Sequence, residues 1–276
     1  MKKLFIFIFL NIFFFNSYLF SQVGKIENDT LTNYIDINNK KQGKWLKKYS
    51  NGKTRYKGQF LNDIPVGVFY YYLKTGKMES VLNYDDSGNC SAEFYWENGN
   101  LAGTGFYNAE KQRVKTWKIN FEDGNLAMII NYDNKGNLNG NNVMYYPESK
   151  NKVVDCNYSN GKLNGKYTKY FKNGSLQEEG YYVNGKRHGH WKLYTPEAIC
   201  DEEGEYVNGS REGQWKIYDK DLQKFVTANY KFDRSDLDEK KMKEWQNKLD
   251  WAKENQDKFK QPEDYFDNPE LFFRGN

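Results

Sequence analysis

The sequence predicts an all-β protein, an elongated antiparallel sheet of about eight stacked β-hairpin repeats with a C-terminal capping α-helix. Three observations carry this. A glycine slot recurs about every twenty-four residues, clearest at Gly165, Gly189 and Gly213, and falls earlier on Gly43, Gly67, Ala92, Lys115 and Gly140. Two residues after each slot stand Trp45, Phe69, Phe94, Trp117, Asn142, Tyr167, Trp191 and Trp215, and a second column holds Phe60, Tyr84, Tyr107, Tyr132, Tyr158, Tyr182, Tyr206 and Tyr230. With 18% aromatic residues overall, chance would place only about 1.4 aromatics in eight such positions. Third, turn dipeptides arrive every half repeat, as at Asn51-Gly52, Asp123-Gly124, Asn160-Gly161, Asn173-Gly174, Asn184-Gly185 and Asn208-Gly209.

Residues 1–21 read as a secretory signal peptide. Lys2 and Lys3 precede an apolar run from Leu4 to Phe15, and Ser21-Gln22 offers a cleavage point. The run is shorter than the roughly 20 residues a membrane-spanning helix needs, so the mature chain is expected to be exported, with no transmembrane span. Residues 22–39 form a polar entry segment, and residues 40–232 the repeat domain.

Inside a repeat the side chains alternate with the period of a strand. Trp191 and Leu193 face one side while Lys192 and Tyr194 face the other. Gly58, Gly105, Gly180 and Gly204 stand two residues before the second aromatic column. Glycine weakens a strand unless a packing reason asks for it, and the reason expected here is an aromatic ring laid over the bare backbone. In 233–276 the pattern changes to helical spacing. Ser235 is the expected N-cap, and Met242, Trp245 and Leu249 form one apolar face to close the last edge, giving a monomer.

Composition narrows the function classes. The full chain carries +4, and loss of Lys2 and Lys3 leaves a nearly neutral mature protein whose lysines are interspersed with acids such as Glu178, Glu179, Glu202 and Glu203. That balance does not supply the basic face nucleic acid requires. Cys90, Cys156 and Cys200 have neither Cys-x-x-Cys nor metal-ligand spacing. Cys156 reads as a small buried hydrophobe. The only histidines are His188 and His190, too few for a metal site, and the carboxylate pairs are strand neighbours that point to opposite faces. No catalytic residue, cofactor or metal is expected.

The stretch Gly180-Tyr-Tyr-Val-Asn-Gly-Lys-Arg-His-Gly-His-Trp-Lys-Leu-Tyr resembles the MORN-repeat-variant family of bacteria, including proteins named as YwqK-family antitoxins. Its turn-Gly-Lys-x-x-Gly-x-Trp-x-x-Tyr core also stands at Asn160–Tyr170 and Asn208–Tyr218, while the units opening at Ala92, Lys115 and Gly140 depart from it. The resemblance implies hairpins stacked into a sheet that serves as scaffold or interaction surface. The leading expectation is therefore a non-catalytic, exported scaffold that binds a protein partner at the cell envelope. The alternative is a glycan-binding module using Tyr70, Tyr72, Tyr170, Tyr181, Tyr194 and Tyr218 on the face opposite the columns, where cross-strand packing of these rings competes with ligand binding. A toxin-neutralising role is the further alternative that the resemblance carries.

Overall fold

The structure, a computed structural model, describes residues 25–27, 30–235 and 247–248. Twenty strands are found among them, in two compact units. The first unit holds β1 (Lys25–Glu27), β2 (Thr30–Thr32), β3 (Tyr34–Ile35), β4 (Lys41–Lys48), β5 (Thr54–Leu61), β6 (Ile64–Tyr72), β7 (Met78–Tyr84), β8 (Cys90–Tyr95), β9 (Leu101–Tyr107) and β10 (Arg113–Asn120). β4 to β10 form an antiparallel meander, and β2 and β3 meet β4 at its start. The entry segment is thus partly strand.

β11 (Leu126–Tyr132) contributes Met128–Asn131 to the second unit. There follow β12 (Gly140–Tyr145), β13 (Lys152–Ser159), β14 (Lys162–Tyr170), β15 (Leu176–Val183), β16 (Lys186–Tyr194), β17 (Cys200–Val207), β18 (Ser210–Asp219), β19 (Lys224–Lys231) and β20 (Arg234–Ser235). Each pairs antiparallel with the next, from Met128↔Met144 at one end to Tyr230↔Ser235 at the other.

The repeat turns are of two kinds. At Asn160-Gly161, Asn184-Gly185 and Asn208-Gly209 both residues are left-handed, with φ of 51° and 76°, 52° and 81°, and 53° and 95°. This is the two-residue hairpin turn whose twist matches its strands. At Asn51-Gly52 and Asn173-Gly174 only the glycine is left-handed, and the turn is a longer loop. There the asparagine donates from Nδ2 to the corresponding loop of the next repeat, Asn51 to Lys74 O at 2.9 Å and Asn173 to Pro196 O at 2.9 Å. An amide can donate this bond and a carboxylate cannot.

Glycine serves two distinct purposes in each repeat. The opening slot is a left-handed bulge, φ 72° at Gly189, and a Cβ there would meet open space. At Gly180 the backbone is not left-handed, but a Cβ would stand 2.3 Å from Cδ2 of Trp191. The indole occupies the place of the missing side chain, and its Nε1 donates to Tyr181 O at 3.1 Å. Trp215 does the same over Gly204, donating to Glu205 O at 3.1 Å, and Trp117 lies on Gly105 and donates to Phe106 O at 3.1 Å. A single sheet buries large rings in this way by laying them flat on its own glycines.

The second column fills the spaces between these rings edge-on. Tyr182 meets Trp191 at 5.3 Å and 86°, and Tyr206 meets Trp215 at 5.0 Å and 87°, the T-shaped geometry favoured by ring quadrupoles. Trp45, Phe69, Trp117, Tyr167, Trp191 and Trp215 are buried, as are Tyr158 and Tyr206. Phe94, Phe60, Tyr84, Tyr107, Tyr132, Tyr182 and Tyr230 are half-buried. Where the aromatic slot holds Asn142, the core turns aliphatic: Met128, Ile130, Val154 and Cys156 are fully buried around it. The Asn142 Oδ1 accepts from Asn131 N at 2.7 Å.

The C-terminal capping helix is corrected by the structure. Ser235, expected as its N-cap, lies in β20 and pairs with Tyr230. The chain turns once more because Phe232 and Asp233 take left-handed φ of 49° and 64°, and Asp233 repeats the bonding of Asp63. Asp233 N donates to Arg211 O at 3.2 Å and its Oδ1 accepts from Arg211 N at 2.7 Å, as Asp63 does with Lys41 at 3.1 and 2.9 Å. Among the described residues only Asn247 and Lys248 are helical, and both are exposed. Met242, Trp245 and Leu249 lie outside the described residues. The described fold is all-β, and its last long strand is met by another strand.

Candidate functional site

The aromatic face is internally occupied. Charged residues complete it: Arg187 places its guanidinium 4.3 Å from the Trp191 ring centre and pairs with Glu178 at 2.6 Å. Arg211 repeats this over Trp215 at 4.2 Å with Glu202 at 2.6 Å. Burial pulls the Arg187 pKa down, but Glu178 and the adjacent phenols outweigh it, and the net shift is upward. The guanidinium remains charged. A sequence signal existed, since Lys41, Arg113, Arg187 and Arg211 all stand four residues before a tryptophan. Their position beside the turns masked it.

The face opposite the columns in the second unit presents a charge ladder. Glu179, Lys192, Glu203 and Lys216 are successive cross-strand partners on β15 to β18. Glu203 lies 3.8 Å from Lys192 Nζ and 3.6 Å from Lys216 Nζ. His190 sits between Glu205 at 3.2 Å and Glu203 at 3.7 Å, whereas His188 faces Tyr181 across the strands. Exposed pairs of this kind are worth about 0–1 kcal/mol each. They define the surface more than they stabilise it.

The six tyrosines expected on this face have different surroundings. Tyr181 is 55% exposed. Tyr70, Tyr72, Tyr170, Tyr194 and Tyr218 are half-buried. Lys57 covers Tyr70 at 4.7 Å and approaches Tyr72 at 6.0 Å, and Tyr218 packs edge-on against Phe225 at 5.3 Å. The Tyr194 hydroxyl donates to Glu179 at 2.8 Å, and burial together with that bond raises its pKa. The tyrosines therefore do not form one continuous bare platform. Val183 and Val207, 43% and 45% exposed, are the residues the sequence reading missed beside Tyr181. Both occupy the strand position just before an Asn-Gly turn, where a valine reads as strand-former only.

Cys90 and Cys156 are buried and Cys200 half-buried, and all three are free thiols. Burial pushes the Cys90 thiol up to about 11, which removes thiolate character at neutral pH. Among the described residues no three His, Cys, Asp or Glu side chains converge as a metal-binding group.

The glycine slot, the ring two residues on and the loop to the second column together make a recognisable unit. Four segments match the MORN repeat variant. They are residues 41–62, 91–109, 113–134 and 163–184. Each begins in or beside a slot-bearing strand and runs through the loop into the strand of the second column. Two of the matches cover the units opening at Ala92 and Lys115, so the MORN variant pattern survives the loss of its glycine there. No curated protein matches the sequence. Among solved structures, a point mutant of S. aureus TarM, in complex with Fondaparinux, alpha-GlcNAc-glycerol and UDP, aligns at 13% identity with a TM-score of 0.24, over 53% of this chain and 21% of that chain. A protein of unknown function from Bacteroides fragilis aligns at 8% identity with a TM-score of 0.09, over 71% of this chain and 98% of that one. Likeness at this level supports no inference about fold or function.

Proposed function

We propose that the chain is an exported, non-catalytic repeat scaffold that binds a protein partner at the bacterial cell envelope, through the face opposite its aromatic columns. One observation carries this reading: Tyr181, Val183 and Val207 are exposed beside a charge ladder, whereas the rings of the other face are covered by arginines and by each other. An apolar and tyrosine centre with a charged surround is the composition of a reversible protein interface. Export is supported by Lys2, Lys3 and the apolar run that follows. The toxin-neutralising role implied by resemblance to YwqK-like proteins is a special case of partner binding.

The mature chain, immobilised, should capture a specific partner from envelope extract, and Tyr181→Ala combined with Val207→Asp should abolish that capture while leaving the thermal midpoint nearly unchanged. Mass analysis of the cellular protein should give an N-terminus near Gln22. Retained capture by the double variant would remove this face from the proposal. Saturable binding on a glycan array with no protein captured would reverse the order of the readings.

A further inference from the structure

The first unit carries a cleft where its hairpins depart from the repeat. Its floor is one cross-strand row on the face opposite the columns: Asn83, Ser91, Phe106 and Val114 are successive partners on β7 to β10. At this end of the strands β5 and β6 are joined by the two-residue turn Asn62-Asp63, but the longer loops Asp85–Asn89 and Asn108–Gln112 rise beside the row. The cleft between them is open on one side and holds about 480 Å³, within the range of small-ligand clefts.

Phe106 is 39% exposed, while Asn83, Ser91 and Asn134 bring side chains with both donor and acceptor capacity. Lys115 takes the slot that is glycine in six of the eight repeats and accepts the left-handed backbone that slot imposes, φ 60°. A lysine there costs roughly 1–2 kcal/mol relative to glycine. Its ammonium stands 4.7 Å from the Phe106 ring centre, at the cleft. Strain held where a repeat breaks its own rule points to a use for the side chain.

We propose that this cleft is a saccharide-binding site that takes neutral hexose units. Amide and hydroxyl groups supply alternating donors and acceptors for sugar hydroxyls, the part of the Phe106 ring left exposed beside the Lys115 ammonium offers an apolar contact for a pyranose, and Lys115 adds a donor. The charge excludes an acidic sugar as the preferred ligand, because Asp85 and Glu110 oppose the one ammonium of Lys115 in the lining. An extended peptide fits less well: β7, β8 and β9 are paired on both sides, so the cleft offers no free strand edge.

The test titrates the mature full chain with cellotriose, maltotriose, triacetylchitotriose and a galacturonate trimer, followed by calorimetry and amide chemical shifts. At least one neutral trisaccharide should saturate at or below about 1 mM, more tightly than the galacturonate. Phe106→Ala should weaken it by about tenfold or more. Lys115→Gly restores the repeat's own residue, so it should weaken binding while leaving the thermal midpoint equal or higher, which separates loss of ligand from loss of fold. Absence of saturable neutral-sugar binding up to about 10 mM, tighter binding of the galacturonate, or binding unchanged in both variants would each overturn the assignment. The protein-partner reading rests on β15 to β17 and stands or falls separately.

Discussion

At the scale of single residues, two glycines only nine positions apart should respond differently to the same change. Gly180→Ala puts a methyl inside the Trp191 ring, 2.3 Å from Cδ2. It should cost about 3 kcal/mol by forcing the ring off its seat. Gly189→Ala meets no atom but keeps φ at 72°, and should cost about 1–2 kcal/mol through the backbone alone. Urea unfolding of both, with near-ultraviolet circular dichroism of the indole signal, separates them: only Gly180→Ala should change the tryptophan environment. Equal costs with an unchanged signal would mean the ring is not seated on Gly180. Periodicity made the ring-on-glycine arrangement legible from sequence. It did not reveal the pairing of Arg187 with Glu178, because a pattern read strand by strand can show the spacing of Arg187 to Trp191 but cannot place the acid of the preceding strand beside it.

The same scale sets an alkaline limit. Burial raises the Cys90 thiol from about 9 to about 11, and the Tyr71 phenol is pushed up to about 12 by burial and the nearby Tyr56. In both groups the folded state favours the neutral, protonated form. Their contribution is therefore fully present below the unfolded pKa and lost as pH rises through the folded value. Stability should fall from about pH 9 to pH 11 through Cys90 and on to about pH 12 through Tyr71, and Cys90→Ala should flatten the first part of that decline. A stability curve level to pH 11 would contradict burial of this thiol.

At the scale of the element, the turns fasten one repeat to the next. Asn173→Asp removes the Nδ2 donor to Pro196 O and leaves the loop's own acceptor role intact, so it should cost about 1 kcal/mol. Asp233→Ala removes the acceptor for Arg211 N, and should speed hydrogen exchange of the Arg211 amide while leaving that of Trp191 unchanged. The asparagine-glycine pairs were legible as turns. Their division into two-residue turns and stitched loops was not, since the same dipeptide serves both and the difference lies in which neighbouring repeat it reaches. The last hairpin was missed for a related reason: Phe232-Asp233 lacks the glycine signature, and Asp233 adopts its left-handed turn with the support of Arg211.

At the scale of the whole molecule, a chain in which strands mainly contact their sequence neighbours should lose stability locally. Phe69→Ala and Trp191→Ala remove fully buried rings from different units. Each should cost about 3–5 kcal/mol, and their costs should add to within about 0.5 kcal/mol. A double variant far from additive would show coupling that nearest-neighbour contacts do not provide.

The sequence by itself determined the all-β class, the length of the repeat and the rings that seat on its glycines, because strand alternation, glycine slots and aromatic columns are local patterns that recur with one period. It did not determine how the terminal edge is met, which charges are buried, or where a cleft opens. Those depend on residues brought together across strands: Arg211 with Glu202, Asp233 with Arg211, and Phe106 with Lys115. The same side chain is solvated or buried according to its cross-strand neighbour, and only the paired sheet supplies that neighbour.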